Sequence, residues 1–191
     1  METIQVKDRW FEIFIPASKI EEVVSDLAAT INRDYADKKP LFIAVLNGSF
    51  VFAADLLRKI SIPCNISFVK FSSYSGTSTT SKVKELIGLN EDISGRHVIL
   101  VEDIVDTGIT MDLLLADLKK HKPADVKIAC FCHKPDAFKK SFPVEPFPID
   151  YIGMNIPNEF IVGYGLDYDG FGRNLPDIYK ITDYGLRIRE F

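Results

Sequence analysis

The sequence predicts an α/β fold, a parallel sheet flanked by helices with a small cap beside it. Apolar runs rich in β-branched residues alternate with helical patterns: Leu41 to Leu46 then Phe50 to Ile60, His97 to Val101 then Thr110 to Lys120, and a third run from Val126 to Phe131. Alternation of this kind builds a parallel sheet covered by helices. From Pro143 onward Pro, Gly, Tyr and Phe accumulate and helical periodicity fades, which predicts short strands and loops beside that sheet.

Taken in order, the first helix is expected to begin at Ser18. The run Ser18-Lys19-Ile20-Glu21 has capping-box spacing and leads into Val23, Val24, Leu27 and Ile31. After the first apolar strand, Val45-Leu46-Asn47-Gly48-Ser49 opens the helix at Phe50, a backbone arrangement suited to an anion and equally an ordinary Asn-Gly turn. The polar run SSYSGTSTTSK, from Ser72 to Lys82, is too long for an ordinary connection and reads as a mobile loop, either a lid or a plain excursion. Cys130 and Cys132 alternate within an apolar run and are expected on one side of a buried strand.

Composition excludes several classes. The chain has 191 residues, 47% of them hydrophobic, enough for a single domain spanning 1–191. A net charge of −4 argues against general affinity for nucleic acid or an anionic membrane. Three cysteines and three histidines without close ligand spacing argue against a disulfide scaffold or structural zinc. The opening METIQVKDRW carries charge and no long apolar stretch, so neither a signal peptide nor a membrane span is expected, and the cytoplasm is the default compartment.

The chemistry concentrates in VILVEDIVDTGITM, Val98 to Met111. Glu102 and Asp103 are expected at the end of an apolar strand, followed by Asp106-Thr107-Gly108-Ile109-Thr110 and a helix start. Ligands of open α/β sheets sit outside the carboxyl ends of strands, where a helix N-terminus offers unpaired N–H groups to a phosphate. Gly108 permits close backbone approach, and the Thr107 and Thr110 hydroxyls can add donors. No Gly-Lys-Ser/Thr follows, so this is not a nucleoside-triphosphate loop. Two carboxylates beside a phosphate cradle suit vicinal hydroxyls and a hard cation such as magnesium. A phosphorylated sugar with free hydroxyls and a metal is the implied ligand.

These residues resemble the phosphoribosyl pyrophosphate signature of type I phosphoribosyltransferases, and the flanking segments resemble the hypoxanthine-guanine phosphoribosyltransferase family over essentially the whole chain. The resemblance implies the type I fold, with a hood from roughly 1–16 and 143–191. It implies magnesium as cofactor, phosphoribosyl pyrophosphate and 6-oxopurine bases as substrates, and a homodimer or homotetramer. Glu102 and Asp103 match the acids that bind ribose hydroxyls and organise the metal, and the stretch from Asp106 to Thr110 matches the 5-phosphate loop. Asp106 matches the proton acceptor near purine N7. Ile109 stands where some relatives carry Lys.

Leu46, Asn47 and Gly48 match the pyrophosphate loop, with a non-proline cis peptide implied between Leu46 and Asn47; Asn47 replaces a basic residue of many relatives. Ser73 and Tyr74 match a loop that closes over pyrophosphate. Lys134, otherwise an ordinary strand-end lysine, matches the donor to purine O6. Phe160 matches the aromatic that stacks on the base, and Ile161 and Asp167 match residues whose backbone reads the ring edge, Asp167 also lying near a second metal. Arg173 matches a pyrophosphate contact, although the neighbouring acids Asp167 and Asp169 also make it a salt-bridge candidate. Two rivals stay open: a relative preferring xanthine or guanine, because Lys134 does not distinguish C2 substituents, and a phosphoribosyl-pyrophosphate-sensing protein that keeps the fold without turnover.

Overall fold

The computed structural model describes residues 3–73, 83–89, 91–137 and 149–182. In chain order the elements are β1 (Thr3–Val6), β2 (Arg9–Ile15), α1 (Ala17–Asp34), β3 (Leu41–Leu46), α2 (Phe50–Lys59), β4 (Asn65–Ser73), β5 (Val83–Ile87), β6 (His97–Val105), α3 (Ile109–Lys120), β7 (Asp125–His133), β8 (Tyr151–Asn155), β9 (Ile161–Val162) and β10 (Ile178–Ile181). The main sheet has the order β5-β4-β3-β6-β7-β8. Five of its strands run parallel, and β5 pairs antiparallel to β4 at one edge.

The continuous apolar run of β3 reflects burial on both faces. Leu41, Ile43 and Val45 pack with Met111, Leu114 and Leu118 of α3, whereas Phe42 and Ala44 pack with Val24, Leu27 and Ile31 of α1 and with Phe52 and Leu56 of α2. A strand covered on one face only would show alternation with polar residues. Each such large side chain contributes about 1.5–3 kcal/mol by leaving water. Cys130 and Cys132 are both buried, but they join different packed clusters, Cys130 with the α3 side and Cys132 with the α1 and α2 side, so the expectation of a shared side is not met.

The hood is a second sheet of order β1-β2-β10-β9, antiparallel throughout, which joins the N-terminus to residues beyond 160. Its own small core contains Val6, Phe11, Val162 and Tyr179. The stretch expected to form the hood also contains β8, which instead extends the main sheet along β7. Gly153 makes that possible. A Cβ there would lie 2.7 Å from the Phe131 carbonyl oxygen and 2.9 Å from Val23, so only glycine lets β8 tuck under α1. The polar loop predicted around Tyr74 lies outside the described residues, flanked by the ends of β4 and β5.

Helix α1 starts at Ala17, with Pro16 as the N-cap residue, and no side chain of the Ser18–Glu21 spacing caps it. The reason is long-range. The Ala17 N–H donates to Asp177 Oδ1 at 2.7 Å, so a carboxylate from the far end of the chain satisfies the helix start and meets its positive dipole end. Asp177→Ala is therefore expected to lower stability by about 1 kcal/mol, as loss of a capping carboxylate does. Urea denaturation should show an earlier midpoint with an unchanged slope.

Candidate active site

Strands β3, β6 and β7 are neighbours and parallel, so their carboxyl ends open into one crevice. Three of the segments singled out in the sequence leave from there. The turn at 47–49 leads from β3 to α2, the loop at 106–108 leads from β6 to α3, and Lys134 follows β7 directly. Gly108 takes φ +79° as the N-cap of α3, and no side chain caps that helix, which leaves its first N–H groups for an anion. The Leu46–Asn47 peptide is cis, as the resemblance implied. Ser49 is buried, and its hydroxyl donates back to the Val45 carbonyl at 2.7 Å, fixing the turn into α2.

Glu102 and Asp103 sit inside β6, not at its end, because the strand continues to Val105 and Glu102 pairs with Cys130 in the ladder. Two adjacent acids in a strand interior defeat the pattern by which a strand end is read from sequence. Asp103 is 8% exposed, and Glu102 Oε2 is buried without a hydrogen-bond partner. Burial pushes the Glu102 carboxyl well above the usual range, and the neighbouring Asp103 charge pushes it further. Burial also raises Asp103, while a hydrogen bond from Glu102 and the Arg173 charge oppose that rise. Both shifts favour the protonated form of the pair. Oxygen donors in a closed site, one of them lacking a protein partner, fit a hard divalent cation such as magnesium.

Lys134 is buried at 7% exposure, with its Nζ 3.3 Å from Asp106 Oδ2, while the Asp106 side chain is 47% exposed toward the crevice. The Lys134 backbone N–H bonds the Val105 carbonyl at 3.0 Å, which fixes the lysine against the base of the 106–108 loop. Thr107 is half-buried in that loop, Ile109 is the first residue of α3, and Thr110 is exposed on its first turn.

The remaining predicted residues lie on or beside the hood. Phe160 is 45% exposed and packs its inner side on Phe11 and Tyr168, while Ile161 is buried. Asp167 Oδ1 lies 2.6 Å from the Arg173 guanidinium, which also donates to the Gly165 carbonyl at 2.6 Å. Arg173 is thus held by the hood itself, and Asp167 is not gathered with Glu102 and Asp103. Among the described residues no three acids, histidines or cysteines converge into a metal cluster. Ser73 ends β4, and Tyr74 lies outside the described residues.

One element had no sequence signal beyond the glycines themselves. A Cβ on Gly48 would lie 1.9 Å from Asp103 Oδ2, and a Cβ on Gly165 would lie 2.1 Å from the Gly48 carbonyl oxygen. Asp103, Gly48 and Gly165 therefore stack in contact, bringing β6, the β3–α2 turn and the hood to one point. Gly165 also has φ +98°, where side chains other than glycine are strained.

A buried acid pair thus precedes a helix-opening loop, with a buried lysine just past the next strand. Residues 15–169 match the phosphoribosyl transferase domain, and the chain belongs to that family. It is 42% identical over 159 residues to the hypoxanthine-guanine-xanthine phosphoribosyltransferase of Tritrichomonas foetus, covering 83% of this chain and 85% of that one. A crystal structure of a hypoxanthine-guanine phosphoribosyltransferase from Bacillus anthracis superposes with TM-score 0.79 at 41% identity, covering 90% of this chain and 96% of that one. The hypoxanthine phosphoribosyltransferase of Trypanosoma cruzi in complex with the product IMP gives TM-score 0.83 at 32% identity, covering 95% and 98%.

Two stability effects follow from this geometry. Gly165→Ala is expected to cost more than about 2 kcal/mol, combining a strained φ with a backbone clash, and thermal denaturation measures it. Glu102→Gln has a pH-dependent sign. A carboxyl whose folded-state pKa is raised destabilises the folded protein increasingly as pH rises above the ordinary value of 4.5. In metal-free protein the variant should gain on the wild type as pH increases from 4.5 toward neutrality, and the gap should close at lower pH.

Proposed function

We propose that this chain is a purine salvage enzyme that transfers the 5-phosphoribosyl group from phosphoribosyl pyrophosphate to N9 of hypoxanthine and guanine, giving IMP and GMP plus pyrophosphate. The observation that carries the proposal is the buried Lys134 ammonium 3.3 Å from Asp106, beside the Glu102–Asp103 pair and the open start of α3. That arrangement unites a base-recognising cation, a proton acceptor and a sugar-phosphate cradle in one crevice. The names of the relatives agree with it.

In this mechanism the amides from Gly108 to Thr110, with Thr107, hold the 5-phosphate at the dipole end of α3. Glu102 and Asp103 accept the ribose hydroxyls and hold magnesium. When bound, magnesium offsets the charge that develops on the leaving pyrophosphate. The turn from Leu46 to Gly48 receives that pyrophosphate, with Arg173 of the hood, Ser73 and Tyr74 as its further contacts. Phe160 stacks on the purine, and the backbone of Ile161 and Asp167 reads its edge. Asp167 is also a candidate ligand for a second ion.

Asp106 accepts the N7 proton as N9 attacks the anomeric carbon, which restores electron density to the ring. Lys134 has three N–H donors, enough to serve Asp106 and purine O6 together. A 6-amino group presents a donor to that donor, so adenine is disfavoured. The same proposal includes a homodimer or homotetramer and a cytoplasmic setting.

Purified protein with magnesium, phosphoribosyl pyrophosphate and each of hypoxanthine, guanine, xanthine and adenine tests the assignment by nucleotide formation. The 6-oxopurines should react, and adenine should fall at least roughly 10²-fold below hypoxanthine. Asp106→Asn should lower kcat by about 10²–10⁴ through loss of general base catalysis. Binding of phosphoribosyl pyrophosphate without turnover on any base would refute the enzyme.

A further inference from the structure

Phe160 would be a poor platform if its ring were free to tilt, because stacking on a flat heterocycle depends on the angle of the face presented. Its inner side is held by two aromatic rings. Phe11, fully buried in β2, lies 6.3 Å away and tilted, and Tyr168 lies 5.8 Å away at 89°, edge to face. Phe11 and Tyr168 are themselves 6.3 Å apart, so the three rings form a closed triangle in which Phe11 is buried, Tyr168 is half-buried and Phe160 is exposed.

Phe11 is locked by core packing, but Tyr168 sits on a turn. That turn is closed on itself by reciprocal backbone bonds between Tyr168 and Phe171, at 2.9 and 3.0 Å. It is fastened to the β1–β2 turn, some 160 residues away in sequence. The Tyr168 hydroxyl donates to Asp8 Oδ1 at 2.9 Å, Lys7 forms an ion pair with Asp169, and the Lys7 ammonium lies 5.5 Å over the Phe171 ring. Lys7 and Asp169 both adopt left-handed backbone conformations, at φ 54° and 51°, so both turns are shaped to meet.

We infer that Tyr168 is a positioning residue for purine recognition: held by Asp8 through its hydroxyl, it sets the angle of the Phe160 ring and thereby the affinity for the base. It touches no reacting atom. The inference rests on the proposed role of Phe160 as the base platform. In the proposed function phosphoribosyl pyrophosphate meets the ends of β3 and β6 and, from the hood, Arg173, which is held by Asp167 and the Gly165 carbonyl and not by the three rings, so its binding does not depend on this triangle.

The experiment is steady-state kinetics with hypoxanthine and phosphoribosyl pyrophosphate varied separately, on Tyr168→Leu, Tyr168→Phe, Asp8→Ala, the Tyr168→Phe/Asp8→Ala double variant and Phe160→Ala. Tyr168→Leu should raise KM for hypoxanthine by about 2- to 10-fold, the range an edge-to-face aromatic contact supplies, with KM for phosphoribosyl pyrophosphate and kcat within about twofold of wild type. Tyr168→Phe keeps the ring and should recover most of that loss. Its small residual effect and that of Asp8→Ala should not add in the double variant, because both remove one hydrogen bond. Equal changes in both KM values, or an unchanged KM for hypoxanthine in Tyr168→Leu while Phe160→Ala raises it, would overturn the positioning role alone. An unchanged KM for hypoxanthine in Phe160→Ala would instead remove the platform role on which it stands.

Discussion

The contact on which the rest of the site depends is the stack of Asp103, Gly48 and Gly165. With a carboxylate oxygen 1.9 Å from where a Gly48 Cβ would stand, the turn after β3 can approach β6 only because it carries no side chain there. The carbonyl of the same glycine meets Gly165 just as closely, so the hood is seated against the sheet through backbone alone. Side chains at either position would hold the carboxyl ends of the sheet away from the hood. Close-packed interiors transmit such displacements instead of absorbing them.

The same contact explains how a pair of acids survives inside a strand. Ladder pairing with β7 fixes the backbone of Glu102, and the Gly48 turn shuts solvent away from Asp103, so burial raises both carboxyls. Such a pair is unfavourable as a stability element, since one carboxyl oxygen finds no partner. Local rules of this kind are broken at functional sites and the cost is offset elsewhere, here by the apolar packing of β3 and β6 on both faces. Under the proposed function, a bound cation and ribose hydroxyls supply the missing partners.

Much of this was legible in the chain because it is encoded locally. The runs from Leu41 to Leu46, His97 to Val101 and Val126 to Phe131 marked the central strands, and Thr107-Gly108 before a helical pattern marked the loop into α3. The Asn47-Gly48 turn was legible for the same reason. What was not legible is non-local. The Ser18 spacing mimics a cap, yet the acceptor that serves the helix start is Asp177. Tyr151–Asn155 is short and sits among prolines, so its place beside β7 depends on Gly153 fitting under α1 and not on its own pattern. The extent of β6 was hidden because acids in a strand interior look like a strand end.

The division between the two sheets has a consequence for specificity. Under the proposed function, most groups that meet the sugar, its phosphates and the N7 proton sit on the main sheet, with Arg173 added from the hood, whereas the aromatic face and the ring-edge backbone sit on the hood, with its separate small core. In that reading Lys134, which follows β7 and lies against Asp106, joins the purine O6 contact to the proton acceptor. Selection at C6 is then tied to the catalytic acid and hard to alter without loss of turnover. In the same reading selection at C2 belongs to the hood, whose turns are joined to the sheet through Gly165 and to each other through surface contacts such as Tyr168 with Asp8. Changes among those turns can shift the preference among 6-oxopurines while leaving the phosphoribosyl chemistry in place.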